Sequence, residues 1–303
     1  MRNKFADAIY EIGKTDPRIC ALVADISPAG SMVDFRNEFP DRFINCGVAE
    51  QSMIGIAAGM ALKGMRPFCY TIATFSLYRP FEMVRVDLAY QNLPVTVIGM
   101  GAGVIYSTLG GTHHTMEDIA VASAVPNMNV LAPCDPEEMR QATTWCATES
   151  TGPVYMRLGK AGEPDLTGQA ADPFKIGEVR YLRRGTDVAI LSYGITVAMA
   201  NDIADKLSAA GLSVSVLSCH TLKPLDIEGI SSVLKNHSHV AVVEEHVPHG
   251  SRVKEIAWDI GAECRLDCFS LQDAFIHFYG NHGQLLEIHG LEPGLISQKM
   301  LRT

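Results

Sequence analysis

Residues 43–62 read FINCGVAEQSMIGIAAGMAL, and their pattern indicates the class of fold to which the chain belongs. Its apolar start predicts a strand that ends at Gly47, and a helix follows whose first turn carries one acid, Glu50. Every later residue up to Leu62 is uncharged, so the helix is apolar on all faces and we expect it to be buried. A carboxylate at the start of such a helix is either a partner of the helix dipole or a functional acid in a site of low dielectric constant.

The composition is typical of a globular α/β protein. With 303 residues, of which 47% are hydrophobic and 19% charged, the chain is long enough for two ordinary domains. A net charge of -9 and a pI near 5.6 argue against nucleic acid and an anionic membrane surface as partners. No run of eighteen apolar residues occurs, and acids lie inside the first predicted helix, so we expect no membrane span and no signal peptide. We therefore expect a cytoplasmic protein.

The cysteines and the acid–histidine cluster do not form a convincing metal site. Eight cysteines are scattered without a Cys-x-x-Cys pair, which favours reduced thiols over disulfides or zinc. Cys264 and Cys268 are four residues apart and would lie on the same face of a predicted strand. Acids and histidines cluster at 244–246 and His249, but a strand end and a loop supply no helical i, i+4 ligand pair. We expect no metal bound by this chain.

The first half of the chain alternates between strands that are apolar throughout and helices. This pattern indicates a parallel sheet that is covered on both faces. The predicted strands are Ile19–Asp25, Phe43–Cys46, Pro67–Ile72, Val95–Met100, Asn129–Ala132 and Val154–Arg157, and the predicted helices are Lys4–Gly13, Glu50–Leu62, Phe75–Tyr90, Met116–Ala124 and Pro136–Thr148.

A polar stretch at 159–173 has no periodicity and predicts a linker, after which the alternation resumes. We therefore expect an α/β protein of two doubly wound domains, 1–165 and a smaller 187–303, joined by a linker region at 166–186. The strands predicted in the second half are Val188–Ser192, Ser213–Cys219, Val240–Glu244 and Arg265–Phe269, with helices at Thr196–Ala210, Ile227–Asn236, Arg252–Ile260 and near Pro293–Leu301.

Three aromatic residues follow the predicted strand that ends at Ile72. Phe75, Tyr78 and Phe81 are spaced i, i+3 and i+6, which predicts a single aromatic face on one helix. Such a stripe is often part of a core. Since only 7% of the chain is aromatic, three rings converging after a strand also fit a platform for a planar ligand.

The Gly-Val-Ala-Glu-Gln segment at 47–51 resembles the Gly-Ile-Ala-Glu-Gln signature of thiamine-diphosphate enzymes of the transketolase family. The resemblance implies that Glu50 binds N1′ of the aminopyrimidine of the cofactor. It also implies that Phe75, Tyr78 and Phe81 match the family's Thr-Phe-x-x-Phe-x-x-Tyr segment, which stacks on that ring. The family's Ala-Asp-Leu-x-Pro motif falls on 24–28, so Asp25 is assigned to the cofactor site, whereas Ala29 stands where the family has a phosphate-binding Ser.

Residues 109–114, Leu-Gly-Gly-Thr-His-His, are similar to the family's Asp-Gly-Pro-Thr-His-Gln segment. From the residues alone, Thr115 and Asp118 allow a simple capping-box variant at a helix start. The resemblance implies instead that His113 contacts the substrate near its reacting end or its phosphate. Leu109 replaces the family's Asp, which removes a contact to a sugar hydroxyl and affects acceptor preference.

Two cations close the last strand of the first domain. Arg157 and Lys160 lie where the carboxyl edge of a parallel sheet binds ligands, although solvated basic residues are an equal alternative. Transketolases carry a phosphate-binding arginine at the Lys160 position, and deoxyxylulose-phosphate synthases carry arginines at both positions. A lysine binds phosphate as a point charge and not bidentately. The sequence therefore also allows a substrate that carries no phosphate or a different charged group.

The diphosphate-binding motif of the family, Gly-Asp-Gly with a downstream Asn, does not occur in the sequence. The resemblance therefore implies the C-terminal subunit of a split transketolase, which transfers a two-carbon ketol unit between sugars or sugar phosphates. It also implies an N-terminal partner subunit that carries the diphosphate domain and most of the Mg²⁺ ligands, in a heterotetramer. The alternatives are a beta subunit of a 2-oxoacid dehydrogenase or of a deoxyxylulose-phosphate-synthase-like enzyme, and a non-catalytic assembly subunit.

Overall fold

The computed structural model describes residues 1–28, 30–167, 171–248 and 250–302. The expectations that involve Ala29 and His249 lie outside the described residues. Elements are numbered in chain order, and the strands of the described residues form two sheets. The strands of the first sheet are β1 Ile19–Val23, β2 Phe43–Asn45, β3 Arg66–Ile72, β4 Thr96–Met100, β5 Asn129–Leu131, β6 Val154–Leu158 and β10 Thr221–Lys223. Their order in the sheet is β10-β5-β6-β4-β3-β1-β2, and all neighbours are parallel except β10 and β5.

The second sheet of the described residues has the strands β7 Arg180–Arg183, β8 Val188–Ser192, β9 Val214–Ser218, β11 His239–Val243 and β12 Arg265–Phe269. Their order is β12-β11-β8-β9-β7, and only the pair of β7 with β9 is antiparallel. Both sheets are covered by helices, which confirms the predicted α/β class of two mostly parallel units.

The helices connect the strands and bury their apolar sides against the sheets. No helix among the described residues is both long enough and apolar enough to cross a membrane. The α-helices are α1 Arg2–Thr15, α2 Met32–Glu38, α3 Glu50–Leu62, α4 Ala73–Leu77, α5 Phe81–Met83, α6 Asp118–Ala124, α7 Pro136–Thr148, α8 Thr196–Ala209, α9 Ile227–Asn236, α10 Val253–Asp259, α11 His282–Ile288 and α12 Pro293–Leu301.

The predicted continuous helix over 75–90 is wrong. Helix α4 ends at Leu77, a turn leads to α5 at Phe81, and a π-helix then spans Val84–Tyr90. Pro80 explains the interruption, because proline lacks a backbone N–H and disfavours a helical conformation in the residue before it. The three aromatic residues therefore do not share one helical face.

The expectation that α3 is buried on all faces is also wrong for the chain as described. Glu50, Met53 and Ala57 lie on a buried side of the helix, but the opposite side is open to solvent. The side chains of Ile56 and Leu62 are 41% and 62% exposed. An apolar helix surface of this kind normally requires a cover.

Four short elements were not expected from the sequence: α2, α11, β7 and β10. Strand β7 lies inside the stretch 166–186 that was expected to be a linker. Strand β10 comes from the second half of the chain but pairs antiparallel with β5 at the edge of the first sheet. Strands of three or four residues give too little periodicity to be seen in a sequence.

Candidate active site

The acid Glu50 is positioned by the turn between β2 and α3. Gly47 has a φ of 71°, a left-handed conformation that glycine adopts without steric strain. The Asn45 side-chain oxygen accepts hydrogen bonds from the backbone N–H of Gly47 and of Asp25, both at 3.0 Å. Asp25 itself is exposed, also with a positive φ of 49°. The carboxylate of Glu50 is 5% exposed in the first turn of α3, where the helix dipole favours a negative charge.

Arg79, which the sequence did not single out, joins the acid to the aromatic side chain of Phe75. Its Nη1 donates to Oε1 of Glu50 at 2.9 Å. The same guanidinium lies over the ring of Phe75, with its central carbon 4.0 Å from the ring centroid. Arg79 is half exposed, whereas the carboxylate that it binds is buried. Its contacts bring Glu50 and Phe75 into one site.

His113 lies on the other side of Phe75. The centroids of the two rings are 5.1 Å apart in an edge-on arrangement, and Tyr106 lies 6.0 Å from His113 in a similar geometry. Nδ1 of His113 is hydrogen-bonded to the hydroxyl of Thr112 at 2.9 Å. Burial, and then the charge of Arg79, lower the pKa of His113 below its ordinary value. The imidazole is therefore neutral at pH 7, with Nε2 available to a ligand.

Two cations lie beyond Tyr106. Nζ of Lys160 is 5.2 Å from the centroid of the Tyr106 ring. Arg2 borders Tyr70, and the hydroxyls of Tyr70 and Tyr106 both contact Sδ of Met100, which puts Arg2 in the same neighbourhood. Nε of Arg2 is buried and has no hydrogen-bond partner. Sequence reasoning found Lys160 but missed Arg2, which lies at the start of α1, far from both of these residues in the chain.

Tyr78 and Phe81 make contacts that differ from those of Phe75. The hydroxyl of Tyr78 donates to Oε2 of Glu117 at 2.9 Å, and burial raises the pKa of the phenol. Phe81 packs against a hydrophobic core to which both halves of the chain contribute. The chain turns at Pro80, so the three rings do not lie along one continuous helix. Phe75 contacts both Arg79 and His113, and the assignment of Tyr78 and Phe81 to the cofactor ring stays a prediction.

The loop that carries His113 is held by the second half of the chain. Gly103 and Thr115 form a two-way backbone bridge, and Oε1 of Glu245 accepts a hydrogen bond from the N–H of Val104 at 2.6 Å. A Cβ at Gly103 would collide with the carboxylate of Glu245, so glycine is required there. Sequence reasoning did not foresee that Glu245 would support the site.

Leu109 ends a short 3₁₀ turn at the outer side of the same loop, and its side chain is 49% exposed. It offers only apolar surface where a carboxylate was expected. Gly110 follows with a φ of 74°, and Tyr279 of the second half lies beside it. The ring of Tyr279 is 80% exposed.

Arg157 lies inside the protein, although the sequence placed it at the open edge with Lys160. Its Nε donates to Oδ2 of Asp118 at 2.9 Å, and Nη2 donates to the backbone oxygen of Glu245 at 2.8 Å. The hydroxyl of Tyr155 donates to the same Asp118 oxygen at 2.8 Å. The structure does not bring Arg157 together with the residues that connect Glu50 to Lys160, which are Arg79, Phe75, His113 and Tyr106.

Both units of the chain match known families. Residues 1–162 match the transketolase pyrimidine-binding domain, and residues 177–290 match the transketolase C-terminal domain. The chain belongs to the transketolase family. Its similarity to that family, recognised from the segments around Glu50, Phe75 and His113, is thereby confirmed.

Relatives of this transketolase-family chain include proteins named as separate subunits. An apulose-4-phosphate transketolase subunit from Phocaeicola vulgatus is 36% identical over 82% of this chain and 80% of that protein. The 6-deoxy-6-sulfo-D-fructose transketolase subunit SqwH from a Clostridium species is 34% identical over 89% of this chain and 85% of its own length. A solved structure described as a split gene transketolase, inactive beta4 tetramer, is 33% identical, covers 99% of this chain and 97% of its own, and has a TM-score of 0.86. These similarities support the interpretation of the chain as the C-terminal subunit of a transketolase.

Proposed function

We propose that this chain is the C-terminal half of a two-subunit transketolase, and that it transfers a two-carbon ketol unit from a ketose to an aldose with thiamine diphosphate. The single observation that carries the proposal is one line of contacts that runs from a buried acid across an aromatic ring to a neutral histidine and a cation. Its members are Glu50, Arg79, Phe75, His113, Tyr106 and Lys160.

The residues present fit the aminopyrimidine of thiamine diphosphate. A buried carboxylate and an aromatic face are linked by one planar group that donates N–H, which is the guanidinium of Arg79. An aminopyrimidine is, like the guanidinium, planar and able to donate N–H from its edge. Glu50 would therefore bind N1′ and share its proton, while Phe75 would hold the ring. The bound cofactor would supply the carbon nucleophile that carries the two-carbon unit.

His113 has the properties required of a group that handles the substrate. Its imidazole is neutral at pH 7, because burial lowers its pKa below the ordinary value. A neutral imidazole can accept a proton from a reacting hydroxyl and return it, or donate a hydrogen bond to a carbonyl oxygen. We assign this role to Nε2, since Nδ1 is already engaged by Thr112.

The substrate that we propose has an anionic end. Lys160 beside Tyr106 supplies one positive charge, and Arg2, with a buried Nε that lacks a partner, supplies a second. The two named relatives act on a sugar phosphate and on a sulfonated sugar, by their names. A phosphate or a sulfonate would meet the same two cations. Leu109 gives this site less power to discriminate among acceptor hydroxyls.

We propose that the site is completed by an N-terminal subunit, which carries the diphosphate domain and most ligands of Mg²⁺, in a heterotetramer. Support comes from the solved split-gene relative, which is described as inactive as a beta4 tetramer. Further support comes from α3, which begins with Glu50 and continues with an exposed apolar face that includes Ile56 and Leu62. A subunit seated on that face would also close the cofactor site from outside.

The test is an assay of two-carbon transfer by this chain together with an N-terminal transketolase subunit, thiamine diphosphate and Mg²⁺. Ketose donors and aldose acceptors are compared with and without a phosphate or a sulfonate. We expect no turnover from this chain alone, and turnover by the complex that favours anionic sugars. Lys160→Ala should lower kcat/KM for anionic sugars only, and Lys235→Ala, on the exposed side of α9, is the control. A complex that binds the cofactor but only decarboxylates 2-oxoacids would contradict the proposal.

A further inference from the structure

Arg79 holds the two groups that the cofactor ring is expected to use. Its guanidinium is bonded to Glu50 at 2.9 Å and lies over the Phe75 ring at 4.0 Å. We propose that Arg79 is an internal stand-in for the aminopyrimidine, one that occupies the pyrimidine position in the free chain and must leave when the ring enters. This inference rests on the proposed function, because it takes Glu50 and Phe75 to be the pyrimidine site.

The chemistry of the two groups is closely matched. A guanidinium is flat, delocalised and cationic, stacks on aromatic faces and donates N–H in its own plane to a carboxylate. An aminopyrimidine protonated at N1′ is also flat and cationic and donates an N–H from its edge. Both would use Oε1 of Glu50 and the same face of Phe75. Two such groups cannot occupy one carboxylate oxygen and one ring face together, so they compete.

The position of Arg79 allows it to move. It lies in the turn between the end of α4 at Leu77 and Pro80, and its side chain is 47% exposed. Glu50 is held in the first turn of α3 and stays buried. The arginine can therefore swing into solvent while the acid keeps its place. In the free chain, Arg79 keeps the buried carboxylate paired, which avoids an isolated buried charge.

The contacts that Arg79 must give up are of modest strength. A half-exposed ion pair and a stack over an aromatic ring together correspond to a factor of roughly 3 to 30 in an equilibrium constant. Removing them should tighten binding of a pyrimidine by that factor. If Arg79 were instead a residue that assists the cofactor, its removal would weaken binding.

The experiment uses the full chain and the free ring 4-amino-5-hydroxymethyl-2-methylpyrimidine, which needs no diphosphate domain. Binding is followed by NMR shifts and by calorimetry for the wild type, Arg79→Ala and Arg79→Met, which keeps most of the apolar stem. We expect both variants to bind the pyrimidine about 3- to 30-fold more tightly than the wild type. Methylguanidinium should compete with the pyrimidine for Arg79→Ala, because it restores the missing group. Arg85→Ala removes the same charge from the exposed side of the next turns and should leave the affinity unchanged.

Each outcome decides one claim. If the folded Arg79 variants bind the pyrimidine with equal or weaker affinity while the wild type binds it through Glu50, Arg79 does not occupy the pyrimidine position. The assignment of the pyrimidine site to Glu50 and Phe75 would then still stand. The role of Glu50 is checked with Glu50→Gln, which should weaken binding by the Arg79→Ala chain. If no variant binds the pyrimidine, both the stand-in and the assignment of this site to the cofactor are overturned. Thermal melting of every variant establishes that it is folded, and Arg79→Met provides a second folded variant if Arg79→Ala is unstable.

Discussion

Replacing Arg157 by Met should destabilise the protein without changing its choice of substrate. The guanidinium and the Asp118 carboxylate are almost fully buried, with a contact of 2.9 Å. Met fills a similar space but leaves the charge of Asp118 with the hydroxyl of Tyr155 and with Nε2 of His246, which lies 3.9 Å from Oδ1. It also leaves the backbone oxygen of Glu245 without its donor. Removing one partner of a buried ion pair typically costs about 3–5 kcal/mol.

This cost converts to a measurable shift in Tm. Unfolding entropy near Tm is about 2.1 cal/mol/K per residue, so 303 residues give roughly 0.6 kcal/mol/K. A loss of about 3–5 kcal/mol therefore lowers Tm by roughly 5–8 °C. The measurement is calorimetric or circular-dichroism melting. Arg183→Met is the matched control, because Arg183 and Asp205 form an exposed ion pair worth under about 1 kcal/mol.

Two further measurements separate this structural role from substrate binding. The double variant Asp118→Asn/Arg157→Met should lose less stability than the sum of the single variants, since no lone charge stays buried. In the complex, the ratio of kcat/KM for phosphorylated and unphosphorylated sugars should be unchanged by Arg157→Met. A variant with the wild-type Tm and a raised KM for anionic sugars alone would refute the reasoning and return Arg157 to the substrate edge.

The other predictions concern the acid, the acceptor loop and the dependence of stability on pH. Glu50→Gln should preserve folding and assembly but slow proton exchange at C2 of the bound cofactor by roughly 10²–10⁴-fold, and an unchanged rate would remove Glu50 from the mechanism. Leu109→Asp should raise kcat/KM for acceptors with a 2-hydroxyl relative to those without it, by about tenfold, because it adds a hydrogen-bonding partner; an unaltered ratio would mean that this loop does not meet the acceptor. Burial raises the pKa of Glu244 from 4.5 to about 7, so the folded chain holds a proton that the unfolded chain loses. The free energy of unfolding should therefore fall by up to about 3 kcal/mol as the pH rises from 4.5 to 7, and Glu244→Gln should flatten that part of the urea-denaturation profile; a profile that is the same in both proteins would contradict it.

The groups that the sequence predicted for the site lie in short segments with a pattern of their own. Glu50 begins a helix in an otherwise uncharged stretch, and α3 was predicted with the bounds that the structure has. His113 follows glycines, and Lys160 follows an apolar strand. Local information was sufficient here, because strand ends and helix starts of a parallel sheet meet at one edge.

Two of the groups that the sequence did not reveal reach the site from distant parts of the chain. Arg2 comes from the first helix and Glu245 from the second unit, and no spacing connects either of them to His113. Arg79 is in a turn, where an arginine is ordinarily a solvated residue. The exposed face of α3 was missed for a different reason: an apolar helix looks the same in a sequence whether its cover belongs to its own chain or to another protein.

Strand β10 has a consequence for the synthesis of the protein. It closes the edge of the first sheet beside β5, but it follows Asn129–Leu131 by about ninety residues in the chain. At roughly 5–20 residues per second, the ribosome exposes β5 some 5–18 s before β10 is made. During those seconds the nascent chain carries a bare strand edge that other nascent chains can pair with. The first unit is therefore completed only when part of the second has been translated, and a ribosome that stalls before residue 221 releases a sheet prone to aggregation.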